Sequence, residues 1–273
     1  MRLPSVAPIS GSAMSNVNRW LAQANSTFSS GFSGQAPEVL QGYQRESVQL
    51  ADSLSYMFSA SDVETMILTR RHWLLMSISL IPENWPVIQD LVRLECRDRA
   101  NYFEALIKEL RAIELQWESS KVAALIAPDT NVYLHQDSFF EEIDWKALAG
   151  GREVRLIVPM QVVRELDIHK NGARNAVVSD TCNETVRLRA RRTVKRLREL
   201  FVDPRAAVTL NSGVPIALIT DSAGHRPGAD GDAEIIDRLV TLSSVIQQPV
   251  YVATADGGMD FAAKMEDLRV IGL

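Results

Sequence analysis

Four acids stand where a chain could use them for chemistry. Asp129 follows the apolar run ALIAP, Glu165 lies just past the first turn of a helix that follows LIVP, Asp232 opens DAEII, and Asp256 follows VYVAT. A parallel sheet gathers strand ends and the helix starts beyond them at one edge, where open α/β folds place their ligands. Carboxylates packed together repel one another, and their pKa values rise unless a cation shares the site. With oxygen ligands alone, the fitting ions are Mg²⁺ or Mn²⁺. Such an ion activates a water and stabilises a phosphodiester under attack, so no nucleophilic Ser or Cys is required. Taken singly, each acid has a plainer role: Asp129 as a turn former, Asp232 as a helix N-cap.

The elements that must position these acids are short and punctuated. Val122 to Ala127 reads as a buried strand ended by Pro128, with Thr130 and Asn131 tying down the turn after Asp129. Phe139, Phe140, Ile143 and Trp145 predict a short amphipathic helix closed by Gly150 and Gly151. Arg155 to Val158 predicts the next strand, and the helix after Pro159 is expected to bury Val162, Val163, Leu166 and Ile168. Lys170 to Asn183 reads as a polar, mobile loop. Ala207 to Leu210 and Pro215 to Ile219 flank Asn-Ser-Gly, a hairpin signal. Asp221 to Gly231 is long enough to line a site. A helix is then expected from Asp232, a buried strand over Val250 to Thr254, a short helix through Phe261, Ala262 and Met265, and a last strand over Leu268 to Leu273.

Net charge is −5, so any affinity for nucleic acid must come from a local patch. One helix supplies it: Arg187, Arg189, Arg191, Arg192, Lys195, Arg196 and Arg198, which a phosphate backbone would reward. Pairing with nearby acids on a solvated helix is the competing reading. The two cysteines are far apart, which argues against a disulfide framework and fits a reducing cytosol.

The chain before this region carries little chemistry. Residues 1–35 are rich in Ser, Gly, Asn and Ala and read as disordered, with Trp20 and Leu21 a short docking segment. Residues 36–120 read as an all-α domain: a helix over Glu38 to Phe58, a second opened by a Ser61/Glu64 capping box and running to Leu80, and a long third from Val87 to Trp117. Arg70, Arg71 and His72 read as a solvated edge or an addition to a nucleic-acid surface. The domain packs on its neighbour or serves a protein partner or self-association. The boundary is placed at Ser119 to Lys121. The most apolar window, Trp73 to Ile81, is about half the length of a membrane span, so no membrane role is expected.

Residues 123–273 resemble a PIN-domain nuclease. PDTNV, VVREL, DAEII and ATAD match the family's four acidic motifs in order, with Asp129, Glu165, Asp232 and Asp256 as the acids. The stretch VPMQVVRELDIHK and the arginine-rich helix bring it closer to the larger PIN domains than to the compact toxin type. The resemblance implies a three-layer α/β/α fold with a central parallel sheet over residues 121–273. It further implies Mg²⁺- or Mn²⁺-dependent cleavage of single-stranded or structured RNA, leaving 3′-hydroxyl and 5′-phosphate ends. Thr130, Asn131 and Thr254 match the small polar positions beside the acids. Two departures stand out: Asp230 could replace Asp232 as third ligand, and Asp260 could assist Asp256. An endoribonuclease of a bacterial cytoplasm is the favoured expectation. A toxin-like PIN protein held by a partner, and a catalytically silent RNA-binding scaffold, are the alternatives.

Overall fold

The computed structural model describes residues 2–118, 124–172, 176–179, 182–222 and 225–273. The chain divides into two compact units, Val6–Leu115 and a second made of Met1–Ser5 with Gln116–Leu273. The expected boundary at Ser119 to Lys121, and the first two residues of the expected first strand, lie outside the described residues.

The first unit is all-α. It contains α1 (Met14–Ser30), α2 (Ala36–Ser55), α3 (Ala60–Met66), α4 (Arg70–Ser77) and most of α5 (Trp85–Glu118). The reading of residues 1–35 as disordered is corrected by α1, whose Met14, Val17, Leu21, Ala24 and Phe28 fall at helical spacing and are buried. Its polar composition hid an amphipathic stripe. The expected single helix from Ser61 to Leu80 is two helices. Ser59, not Ser61, caps α3 by accepting from Asp62 N at 3.2 Å, and Thr69 caps α4 by accepting from His72 N at 3.1 Å.

The basic run at its start is not a solvated edge throughout. His72 is buried and hydrogen-bonds Tyr43 Oη at 3.1 Å, while Arg71 pairs with Glu95 at 2.7 Å and Asp98 at 3.0 Å. Burial pushes the His72 imidazole below its ordinary value, and the nearby Glu95 only partly opposes this. Glu95 is itself buried, and Thr69 Oγ1 and Arg99 complete its shell at 2.8 and 3.3 Å. A buried carboxylate is tolerated because it is paired and hydrogen-bonded.

The second unit is built on a six-stranded sheet of β1 (Ala124–Pro128), β2 (Val154–Pro159), β5 (Val208–Thr209), β6 (Pro215–Ile219), β7 (Val250–Thr254) and β8 (Arg269–Gly272). Their order across the sheet is β5-β6-β2-β1-β7-β8. All pairings are parallel except β5 with β6, which is the expected hairpin. Every residue of β1 and β7 is buried, so both read as continuous apolar runs rather than alternating ones. The helices between them are α6 (Thr130–His135), α7 (Trp145–Leu148), α8 (Met160–Asn171), α9 (Val186–Leu200), α10 (Gly231–Ile246) and α11 (Gly257–Met265). The fold is therefore α/β after an all-α region, as expected.

Several local expectations are corrected. Only Trp145–Leu148 is helical in the stretch around Phe139, and the two glycines after it both adopt positive φ, 67° and 78°. The polar segment before α9 contains an antiparallel ribbon, β3 (Val177–Ser179) with β4 (Cys182–Thr185), although residues 173–175, 180 and 181 lie outside the description. Ile168 is 70% exposed, because α8 buries Val162 and Leu166 and Ile168 falls off that stripe. At the other end of the chain, Leu3 N donates to Thr220 O at 2.9 Å, just beyond β6. No helix among the described residues is long and apolar enough to cross a membrane.

Leu21, fully buried in α1, tests the helical unit. Leu21→Ala is expected to cost about 2–5 kcal/mol, read as a lower urea midpoint of the far-ultraviolet dichroism; an unchanged midpoint would remove α1 from the core.

Candidate functional site

Parallel pairing of β1 with β7 brings Pro128 opposite Ala253, and the ladder continues one step further as Asp129 N donates to Ala253 O at 3.0 Å. Asp129 thus emerges beside Thr254. It caps α6, its Oδ1 accepting from Val132 N at 2.8 Å, while Oδ2 accepts from the Thr254 hydroxyl. The same hydroxyl accepts from Asp256 N at 2.9 Å, so one side chain ties the first acid to the fourth. Asp256 caps α11 through Oδ1, which accepts from Gly258 N at 2.7 Å and Met259 N at 3.1 Å. Asn131, expected to steady the Asp129 turn, is exposed and contributes through its backbone N–H.

On the other side of β1, β2 launches α8 and so delivers Glu165. Its Oε2 accepts from the Thr130 hydroxyl and its Oε1 from Gln161 Nε2 at 2.9 Å. Asp232 sits in the first turn of α10. The N-cap there is Asp230, not Asp232: Asp230 Oδ1 accepts from Asp232 N at 3.0 Å and Ala233 N at 3.3 Å. Asp260 is turned to an exposed ion pair with Lys264 at 2.7 Å.

Electrostatics registers the gathering. Asp232 is held above its ordinary carboxylate value, first by partial desolvation and then by Glu165, Asp256, Asp230 and Asp129. Asp129, only 3% exposed, is raised by burial, against the hydrogen bonds from Thr254 and Val132, with the charge of Asp256 adding to the rise. Asp232 thus feels the charge of the other three acids, and Asp129 that of Asp256.

The donor set fits a hard divalent cation. Among the described residues none of the four acids pairs with a lysine or arginine; Asp129, Glu165 and Asp256 receive neutral hydroxyl, amide or backbone donors. One group of three described residues has ligand atoms all within 4.8 Å of one another, and it is Asp221, His225 and Glu234 rather than these acids. That group is offset by arginines already: Arg164 reaches Asp221 at 2.7 Å, and Glu234 meets His225 at 2.6 Å and Arg238 at 3.6 Å. It is an ion-pair network, whereas the four acids have no cationic partner among the described residues.

The basic helix α9 divides. Arg189 is 2% exposed, ion-paired to Glu184 and bonded to the carbonyls of Gln136, Ser138 and Asp137 at 3.1, 3.3 and 3.3 Å. Arg196 makes a two-point bond to Glu141 at 2.8 and 2.9 Å, and Arg192 lies 4.0 Å over the Phe139 ring. Arg187 is half-buried, its Nε without a hydrogen-bond partner among the described residues. Arg191, Lys195 and Arg198 are exposed, and with Lys170 they line a groove of about 310 Å³. Sequence reasoning had no separate signal for Gln161, although it stands one helical turn before Glu165.

The family model described as PIN domain matches residues 126–273. Comparison with curated proteins returns no significant match.

The raised Asp232 carboxyl makes stability depend on pH. Between its ordinary value of 3.8 and its raised folded value the folded state binds the extra proton, so stability falls as pH rises through that window. Asp232→Asn in EDTA is therefore expected to raise the thermal midpoint at pH 7 and to lose that advantage below about pH 3.8; a gain independent of pH would remove the electrostatic cause.

Proposed function

Because the chain belongs to the PIN-domain family, a family of nucleases, we propose that it is a metal-dependent endoribonuclease hydrolysing RNA phosphodiester bonds. The observation that carries this reading is the set of four acids at one sheet edge, of which Asp232 feels the charge of the other three, with no basic partner for any of them among the described residues. In this reading Asp129, Glu165, Asp232 and Asp256 hold Mg²⁺ or Mn²⁺, which supplies an activated water and stabilises charge on the phosphate. Thr254 keeps Asp129 and Asp256 in place, and Thr130 keeps Glu165. Asp230 serves the helix end, and Asp260 is engaged with Lys264, so neither is assigned as a ligand.

The RNA backbone is assigned to the groove of Lys170, Arg191, Lys195 and Arg198. Lys170 lies in the last turn of the helix that carries Glu165, about 7.5 Å further along its axis. The ion pairs of Lys195 with Glu199 and of Arg198 with Asp167, both at 3.9 Å, are long and exposed. Such pairs are weak and yield readily to phosphate. Arg189 and Arg196 are withdrawn from this role because acids and carbonyls of the chain already hold them.

Cleavage of a labelled single-stranded RNA panel with Mg²⁺, Mn²⁺ or EDTA tests the centre. Asp129→Asn is expected to lower metal-dependent cleavage by roughly 100-fold or more, and undiminished cutting by this variant would refute the assignment.

The groove has its own measurement. Lys195→Glu combined with Arg198→Glu is expected to weaken RNA binding and to flatten the logarithmic salt dependence by about 0.7 per lost phosphate contact, leaving Mn²⁺ affinity unchanged. An unaltered salt slope would exclude the groove.

A further inference from the structure

Glu165 differs from the other three acids in its length. A glutamate on a helix has several rotamers to choose among, and most of them would carry its carboxylate away from Asp129. Something must select one.

Three contacts do so. Thr130 donates to Oε2, Gln161 Nε2 donates to Oε1 at 2.9 Å, and the backbone of Gly231 lies so close that a Cβ there would stand 2.1 Å from Oε1 and 3.2 Å from Gln161 Nε2. Any side chain at position 231 would displace the carboxylate, since it is the movable end of a flexible chain. Gln161 is itself oriented. Its Oε1 accepts from Arg164 Nη1 at 3.5 Å, and Arg164 Nη2 is anchored by Asp221 Oδ2 at 2.7 Å. Reversing the amide would set its oxygen against the Glu165 carboxylate and its NH₂ against the guanidinium, so both ends enforce one orientation.

The geometry points to Gln161 and Gly231 as positioning residues for Glu165, with Arg164 and Asp221 fixing the Gln161 amide. The inference rests on the metal-site reading above and adds what holds the second acid ready. The chemistry of the choice is specific. A lysine at 161 would also orient Glu165, but it would neutralise the charge that a cation needs. An amide donates a hydrogen bond without adding a charge, and the arginine that orients it is turned to Gln161 and Asp221, making no ion pair with Glu165 among the described residues. Asp221 in turn takes up the arginine's charge. Gly231 does complementary work from the facing helix, where the first turn of α10 must bring Asp232 close without a side chain of its own intruding on Glu165.

Two variants test this, Gln161→Leu, which keeps bulk and removes the donor, and Gly231→Ala, which adds one methyl group. In metal-free crystal structures of both, the Glu165 carboxylate is expected to leave Thr130; an unmoved carboxylate in both would overturn the proposal. Calorimetric titration with Mn²⁺ is expected to give affinity lowered by about 10–100-fold, the range for residues that orient metal ligands, with cleavage by Gln161→Leu recovering at saturating Mn²⁺. A lowered thermal midpoint with wild-type Mn²⁺ affinity would assign a merely structural role and overturn the proposal as well. Failure of the underlying reading looks different: wild type and Asp129→Asn would then bind Mn²⁺ equally, while the crystal structures would still decide whether Gln161 and Gly231 position Glu165.

Discussion

The register between β1 and β7 is the constraint on which the site depends. These strands lie more than a hundred residues apart in the chain, yet Leu125 pairs with Val250 and Pro128 with Ala253. That register sets the Thr254 hydroxyl against Asp129 and, through its second hydrogen bond, the Asp256 amide against Thr254. A slip of one residue would turn alternate side chains to the opposite face and separate the acids. Complete burial of both strands resists such a slip. The neighbouring strand β2 then needs only to end in step for α8 to bring Glu165 to the same edge.

The acids of this edge are treated unlike others in the protein. Glu95 has Arg71 and Arg99, Glu141 has Arg196, Glu184 has Arg189, Asp221 has Arg164, and Glu234 has Arg238. These buried and half-buried carboxylates are matched to guanidinium groups, as low local dielectric demands. At the site, among the described residues, the donors are hydroxyls, an amide and backbone N–H groups. Neutral donors orient a carboxylate without cancelling it, which leaves a region of negative charge that the rest of the fold must support. Local rules broken in this way are characteristic of functional sites.

The central strands were legible because β1, β2 and β7 are short apolar runs ended by a proline or by an acid within two residues, a signal contained within a few residues. The long helix α5 was legible for the same reason, its apolar spacing being sustained over many turns. What escaped the sequence depends on partners far along the chain. The polar composition before Gln35 concealed the stripe of α1, which has meaning only against the other helices of its unit. Ser59 and Thr69 cap separate helices where one capping box suggested a single start, since either serine could have capped locally. Gln161 and Gly231 carry no chemical signature alone; their roles exist only once α8 and α10 bring them to Glu165.

The basic helix gives the sharpest version of this distinction. Seven bases in one stretch suggest a uniform phosphate-binding face, yet the buried residues of α9 are Val186, Arg189, Ala190, Thr193, Val194 and Leu197. Arg189 lies on that stripe, at the three-to-four residue spacing of its apolar neighbours, so its guanidinium is committed to the interior whatever its type suggests. Arg191, Lys195 and Arg198 recur at the same spacing on the outward side. Periodicity therefore separates populations that composition merges: Arg189 holds β4 through Glu184 and the segment before α7 through backbone carbonyls, whereas Arg191, Lys195 and Arg198 stay at the surface, the last two in long ion pairs. The exposed charge of α9 is smaller than the residue count implies, and it lies beside the end of α8, where Lys170, itself paired with Asp167, borders the same groove.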